Sequence, residues 1–224
     1  GTLLDVVAEG APDADGAVLP ITRSWGGRIA PNLSLGPAAS GIVALKANEA
    51  LSFMGVTLIG SGFRLTSEEA SALGWPTTPV VRPFFMGRDL AEGQGHRFVI
   101  DLFGLTEAEA RMRYPSAFQR ALNRVKPERE INARRLYRER WWVFGEAREG
   151  LRKALKAVSR YIVTARTAKH RVFQFVTASA MVDSNVIAVA VDDAWVLGLL
   201  SSRGHTSWAL STGATLEDRP HYTS

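Results

Sequence analysis

The sequence predicts a mixed α+β fold with an arginine-rich helical segment in its middle. Three observations carry that expectation. Stretches with apolar residues at helical spacing alternate with short β-branched runs. Capping residues and Gly or Pro breaks separate these stretches at short intervals. Positive charge is gathered in one place: residues 111–171 hold 18 Lys/Arg and 5 Asp/Glu, against 7 and 12 in residues 1–110 and 2 and 5 in residues 172–224.

The elements follow in chain order. Leu3–Val7 is an extended apolar stretch, followed by a loop of Ala, Asp, Gly and Pro. Ile42–Leu45 and Val56–Ile59 read as short strands between Gly and Pro breaks. Ser67-Glu68-Glu69 opens a helix to Leu73, because a Thr/Ser cap with acids in the first turn complements the helix dipole, and Gly74 can close it. Residues 76–95 read as loop with one short strand around Val80–Met86, and Arg97–Leu102 as a strand. Thr106 caps the next helix, Pro115 restarts one through Phe118, Leu122 and Val125, and Pro127 interrupts it. A helix over Glu128–Arg140 follows, then the cluster Trp141-Trp142-Val143-Phe144, ended by Gly145. Arg148–Val158 is a basic amphipathic helix with Leu151, Leu155 and Val158 on one side. Tyr161–Thr164, Val172–Val176 and Val186–Val191 read as strands, and Ala194–Leu200 and His205–Leu210 as helices hinged near Gly204.

Composition bounds the function. With 46% hydrophobic and 22% charged residues over 224 positions, the chain can bury a sizeable core as one large domain or two small ones. It contains no cysteine, so disulfides, thiolate metal ligands and cysteine nucleophiles are excluded. No apolar run reaches the roughly 18–20 residues of a membrane span, and the N-terminus lacks a signal peptide's basic start and apolar core. A cytoplasmic location is expected. The ends, Gly1 and the polar run before Ser224, read as cuts in a longer protein.

Catalytic patterns are missing. An enzyme methylating an exocyclic amine needs an Asp/Asn/Ser-Pro-Pro-aromatic loop, and no Pro-Pro occurs. Gly60-Ser61-Gly62-Phe63 is the one Gly-x-Gly after a strand-like run, and Arg-Leu-Thr rather than a helix follows it, so it reads as a turn. No carboxylate stands two residues before a lysine, as one nuclease class requires, and there is no P-loop or Gly-x-Ser-x-Gly elbow. The histidines at 96, 170, 205 and 221 lack metal-ligand spacing. No cofactor or metal is expected on this chain.

What the chain does carry is chemistry for phosphate and bases. A segment with an excess of 13 positive charges attracts phosphate by releasing condensed counterions, and arginine suits bidentate contacts. Arg134, Arg135 and Arg138, interleaved with aromatics, and Arg152, Lys153 and Lys156 on the amphipathic helix are candidate DNA-backbone contacts. Trp141 and Trp142 beside them read as packing residues rather than DNA contacts. Arg166, Lys169 and Arg171 cluster in a loop between strands. Ser184, Asn185, Glu217 and Arg219 lie in later polar loops, and Asn, Glu and Arg can read adenine, cytosine and guanine respectively. Asn, Asp and Ser are also common turn formers, so structural and reading roles stay open at these loops.

A set of words in order carries a family resemblance. They are Arg82-Pro83-Phe84-Phe85-Met86-Gly87-Arg88-Asp89-Leu90, Val99-Ile100-Asp101-Leu102-Phe103-Gly104, Val125-Lys126-Pro127-Glu128-Arg129, Tyr137 through Gly145, Thr167-Ala168-Lys169-His170-Arg171, and Leu199 through His205 with Trp208-Ala209. From roughly Ile29 to Tyr222 the chain resembles the C-terminal target-recognition region of MmeI-like type II DNA methyltransferases, which fuse nuclease, adenine-N6 methyltransferase and recognition regions. The resemblance implies that residues 1–75 follow the methyltransferase domain and pack on a recognition domain at 76–224. It implies double-stranded DNA and the upstream methyltransferase domain as partners, with S-adenosylmethionine bound elsewhere in the parent enzyme. It places Glu217 and Arg219, and more loosely Ser184 and Asn185, among positions that set specificity. The competing expectation is a docking domain that uses its basic segment on an acidic partner and reads no bases.

Overall fold

The computed structural model describes residues 2–12, 18–26, 46–93, 97–212, 215–216 and 219–222, and the chain divides into two compact units, Gly1–Leu45 and Lys46–Ser224. The first unit contains an antiparallel hairpin of β1 (Thr2–Pro12) and β2 (Val18–Gly26), paired from Thr2 with Gly26 to Pro12 with Val18. The ladder shifts register between Val6 and Ala8 and again between Glu9 and Pro12. β1 therefore runs well past the apolar stretch Leu3–Val7, because main-chain pairing, not side-chain hydrophobicity, carries the ladder onward. The expected strand at Ile42–Leu45 lies outside the described residues.

The second unit is built on two four-stranded sheets. The first has the order β3 (Ser52–Met54), β10 (Val186–Val189), β7 (Arg160–Ala165), β8 (Gln174–Thr177), all antiparallel. The second has the order β4 (Arg64–Leu65), β6 (Arg97–Ile100), β5 (Val81–Phe85), β9 (Met181–Val182), antiparallel except for the parallel pair β5–β9. The chain crosses from the first sheet to the second at β9 and returns at β10. At the crossing Gly55 donates to the Val186 carbonyl at 3.0 Å, and a side chain there would stand 2.2 Å from the Asp183 carbonyl oxygen. Only glycine permits that approach. The expected line between residues 75 and 76 runs through this unit, since β3 and β4 pair with strands beyond it.

Helices cover the sheets. α1 (Ser67–Ala72) and α3 (Glu107–Arg113) both start with a reciprocal capping box: the hydroxyls of Thr66 and Thr106 accept from the N–H groups of Glu69 and Glu109, whose carboxylates accept from the threonine N–H groups. These bonds also hold both carboxyl groups below their ordinary range. α2 (Gly87–Glu92) occupies a stretch expected to be loop. Its start is fixed by the Asp89 carboxylate, which accepts the Met86 N–H at 2.8 Å, a signal the apolar pattern alone does not show. α4 (Pro115–Arg124) and α5 (Lys126–Glu130) abut at Val125. The expected interruption is present: Pro127 sits in the first turn of the new helix α5, where its missing N–H leaves no bond unmade.

The single helix expected over Glu128–Arg140 is two pieces, α5 and α6 (Arg135–Glu139). Asn132 breaks it: its side-chain oxygen accepts the Arg134 N–H at 2.9 Å, replacing a helical bond. α7 (Glu149–Ala154) carries on as a 3-10 turn to Ala157. α8 (Ala194–Leu200) and α9 (Arg203–Thr212) are separated at Ser201-Ser202, so Gly204 lies within α9 rather than at the hinge. A short ribbon, β11 (Thr215–Leu216) with β12 (Arg219–Pro220), pairs Leu216 with Arg219.

The core follows the layers. Phe63, Phe84, Val99, Ile100, Phe118 and Val125 pack the second sheet against α1, α3 and α4. Trp141 joins them, its ring 5.3 Å from Phe118, while the Trp142 indole N–H donates to the Leu105 carbonyl at 2.9 Å. Both tryptophans thus have packing roles. The first sheet is covered on both faces. Tyr161, Val163 and Val176 meet Leu90, Leu151 and Leu155, whereas Ile162 and Val189 meet Phe173, Leu197 and Tyr222. The alternation of Tyr161, Ile162 and Val163 between faces is the period-two rule of a strand.

Candidate nucleic-acid interface

The basic segment divides, on folding, into cations that point out and cations that hold the protein together. Arg134, Arg135 and Arg138 are exposed around α6. Arg134 donates to the Tyr137 hydroxyl at 2.9 Å and lies over its ring. Arg138 clamps the carbonyls of Asn132 and Ala133 through Nη1. Arg135 pairs with Glu139 at 2.6 Å, one turn on. That pair is exposed, so solvent screens it and it adds little to stability. The internal bonds of Arg134 and Arg138 use one nitrogen each, so both guanidinium groups keep donors for a phosphate. Lys153 and Lys156 are exposed along α7 and its 3-10 extension.

Arg152, expected at the DNA backbone, is instead an interior group. Its two terminal nitrogens grip both oxygens of Asp101 at 2.7 and 3.0 Å, and its Nε donates to the Ala147 carbonyl. Its guanidinium lies 4.4 Å from the Phe103 ring centre. Asp101 is buried and also receives Arg82, which donates onward to the carbonyls of Ala178 and Ser179. A lone buried carboxylate is costly, and two arginines here offset that cost.

Arg129 is the other inward arginine. It is 1% exposed, and it donates to the carbonyls of Leu58, Ile59, Tyr137 and Val143, with Phe63 and Tyr137 rings beside it. Burial lowers its pKa. No role is expected of it from the motifs, yet a signal is present in the spacing: Ala121, Val125 and Arg129 recur every four residues, which puts the arginine on the buried stripe.

The loop after β7 and the chain's last described strand form a second polar surface. The Tyr222 N–H donates to the Arg166 carbonyl at 2.7 Å, and the Ala168 N–H to the Pro220 carbonyl at 3.4 Å. Arg166 Nε donates to His221 Nε2 at 3.0 Å, and His221 Nδ1 meets the Thr167 hydroxyl at 3.0 Å. Because Nε2 accepts, Nδ1 carries the proton. Arg171 reaches across with Nη1 on Ala165 O and Nη2 on Pro220 O at 3.0 Å, its guanidinium 5.0 Å from the Tyr222 ring centre. Burial lowers the pKa of Arg171 and raises that of the Tyr222 hydroxyl. The Tyr222 hydroxyl in turn meets His205 Nε2 at 3.0 Å, and burial there, with Arg171 nearby, pulls the imidazole pKa down.

The loop Asp183–Asn185 joins this surface through the Asn185 carbonyl, which accepts the Arg166 N–H at 2.7 Å. The Asp183 carboxylate accepts both the main-chain N–H of Asn185 and its side-chain amide. The Asn185 side chain is exposed at the turn and Ser184 is half-buried. Lys169 is exposed, Arg166 and Arg171 are half-buried, and Arg219 is exposed on β12. Glu217 lies outside the described residues. Lys169, His170, His221 and the α9 residues Thr206 and Leu210 line a recess of about 320 Å³ beside this surface. Sequence reasoning missed His221 and Tyr222, the residues that tie the last strand to the loop.

The Gly60-Ser61-Gly62 stretch does not fit a nucleotide cofactor. The Ser61 N–H and hydroxyl both point to the Glu128 carboxylate, at 2.8 and 2.5 Å. A side chain at Gly62 would stand 2.7 Å from the main chain of Arg124, so this glycine admits α4, not a ligand. Among the described residues no group of three or more His, Cys, Asp or Glu could hold a metal ion, and no helix is long and apolar enough to cross a membrane.

The comparisons add an independent finding. The family model described as MmeI, target recognition domain, matches residues 49–224. No curated protein matches the chain. A solved structure of the Type IIL restriction-modification enzyme MmeI in complex with DNA is 20% identical, with a TM-score of 0.68. The match covers 93% of this chain and 28% of that one. At such identity the likeness is one of fold, and the mixed arrangement of helices and strands is shared.

Proposed function

The chain belongs to the MmeI target recognition domain family, and from that premise we propose that it reads a specific sequence in duplex DNA for a larger restriction–modification enzyme. One observation carries this reading. Three stretches remote in sequence, residues 166–171, 183–185 and 219–222, are bonded into one polar surface with exposed Lys169, Asn185 and Arg219. Base-reading side chains have to be held on a rigid frame, and main-chain bonds supply one here. Phosphate contacts set position while base contacts specify. Arg134, Arg135, Arg138, Lys153 and Lys156 take the first role. Lys169, Ser184, Asn185, Glu217 and Arg219 take the second.

The parent enzyme methylates the adenine N6 amine in the cytoplasm. Its S-adenosylmethionine is held by the upstream methyltransferase domain, not by this chain. The target adenine must leave the duplex to reach the donor, and the recognition domain grips the flanking DNA meanwhile.

Selection from a randomised duplex pool at low salt, followed by sequencing, tests this reading. An enriched motif is expected. Binding without enrichment would leave a backbone clamp, and no binding would reassign the basic strip to a protein partner. Arg134→Ala with Arg138→Ala is expected to weaken binding equally on all sequences. It is also expected to lower the slope of log affinity against log salt by about 2, at roughly 0.9 for each phosphate no longer neutralised. Arg219→Ala is expected to leave that slope nearly unchanged and to cost about 1–3 kcal/mol at the base pair it reads, measured by competition between single-base variants of the motif.

A further inference from the structure

We propose that Arg171 is a positioning residue for base recognition, setting where the β11–β12 ribbon presents Arg219 to the groove. The proposal rests on the base-reading function argued above. Among the described residues the ribbon pairs Thr215 with Pro220 and Leu216 with Arg219. A two-stranded ribbon is at best marginally stable even at several residues per strand, so contacts outside the ladder help to set its position. The bonds made by the residues directly after Arg219 are such contacts.

Arg171 is at the centre of these bonds. Pro220 directly follows Arg219, and the Pro220 carbonyl receives Arg171 Nη2 at 3.0 Å as well as the Ala168 N–H. The other terminal nitrogen of Arg171 bonds the Ala165 carbonyl at the end of β7, with Thr164 Oγ1 at 3.4 Å. One planar fork thus spans a strand of the first sheet and the ribbon, while its face rests on Tyr222. Arg166 and His221 make a parallel link one residue further on. The rigid fork fixes both distance and direction. Lysine, a single flexible point donor, retains the charge and loses that geometry.

The test compares wild type, Arg171→Lys, Arg219→Ala and Tyr222→Leu. It uses randomised-pool selection, affinity for a non-specific duplex across salt, and thermal unfolding. Arg171→Lys is expected to keep non-specific affinity within about twofold and to leave the salt slope unchanged. It is expected to reduce preference about tenfold at the base pairs whose preference Arg219→Ala also alters, within the usual range for one mismatched pair. Tyr222→Leu removes the ring under Arg171 and is expected to blunt the same base pairs. This second variant keeps the test decisive if Arg171→Lys fails to fold.

Unchanged preference in Tyr222→Leu or in folded Arg171→Lys would overturn the proposal, as would equal weakening on every sequence. So would lost preference at base pairs indifferent to Arg219→Ala, since Arg171 would then be a reader itself. A wild-type motif that Arg219→Ala alters and Arg171→Lys leaves intact sinks only the positioning role. Absence of any wild-type motif sinks the base-reading function with it.

Discussion

Arg129→Met is expected to lower stability by about 3–5 kcal/mol, read as a fall in the urea midpoint with unchanged slope. Methionine fills much of the same volume, so the loss is not one of packing. The carbonyls of Leu58, Ile59, Tyr137 and Val143 would stay buried without donors. Each such unsatisfied group costs about 1–3 kcal/mol, discounted because the four share one site and relax together. Arg129→Lys is expected to recover less than half of the loss, because one ammonium cannot span four acceptors set around a planar fork. The effect reaches the interface: two of the four carbonyls, Tyr137 and Val143, flank the segment that carries Arg138. A loss below about 1 kcal/mol would show that water replaces the guanidinium and that the site is less dry than its burial implies.

Asp101→Ala is expected to cost a similar 3–5 kcal/mol or so, because it strands two inward cations at once. Arg152 and Arg82 both end on this carboxylate, and their other bonds run to Ala147 and to the Ala178 and Ser179 carbonyls. Asp101 therefore joins β6, α7 and the turn between β8 and β9. Asp101→Asn keeps the shape and one acceptor oxygen and is expected to cost about half as much. Adding Arg152→Met to Asp101→Ala is expected to restore part of the stability, since an unpaired buried cation is removed with its partner. Strict additivity of the two substitutions in urea unfolding would refute the coupling.

The caps of α1 and α3, the strands β5–β8 and β10, and the uneven charge are legible in the sequence for local reasons. A Thr-x-x-Glu box is complete within four residues, and β-branched alternation needs no partner to be visible. The fold class and the family are legible for a related reason: several words in a fixed order hold information that no single one does. α2 is not, because its start depends on one carboxylate. α5 and α6 read as one helix, because the competing bond of Asn132 leaves no mark in an apolar pattern. The histidine and tyrosine at 221 and 222 have no visible task in the sequence, since their partners lie some fifty residues upstream.

Charge is where sequence and tertiary structure part. Composition alone determined that the middle of this chain carries an excess of 13 positive charges, which suits phosphate or an acidic partner, and that it has no thiol chemistry. It could not say which arginines face outward. Arg129 and Arg152 look no different in sequence from Arg134 and Arg138, yet the first two are spent on buried carbonyls and a buried carboxylate. Only the folded structure decided that, because whether a guanidinium meets water or carbonyl oxygen depends on which segments, distant in the chain, close around it.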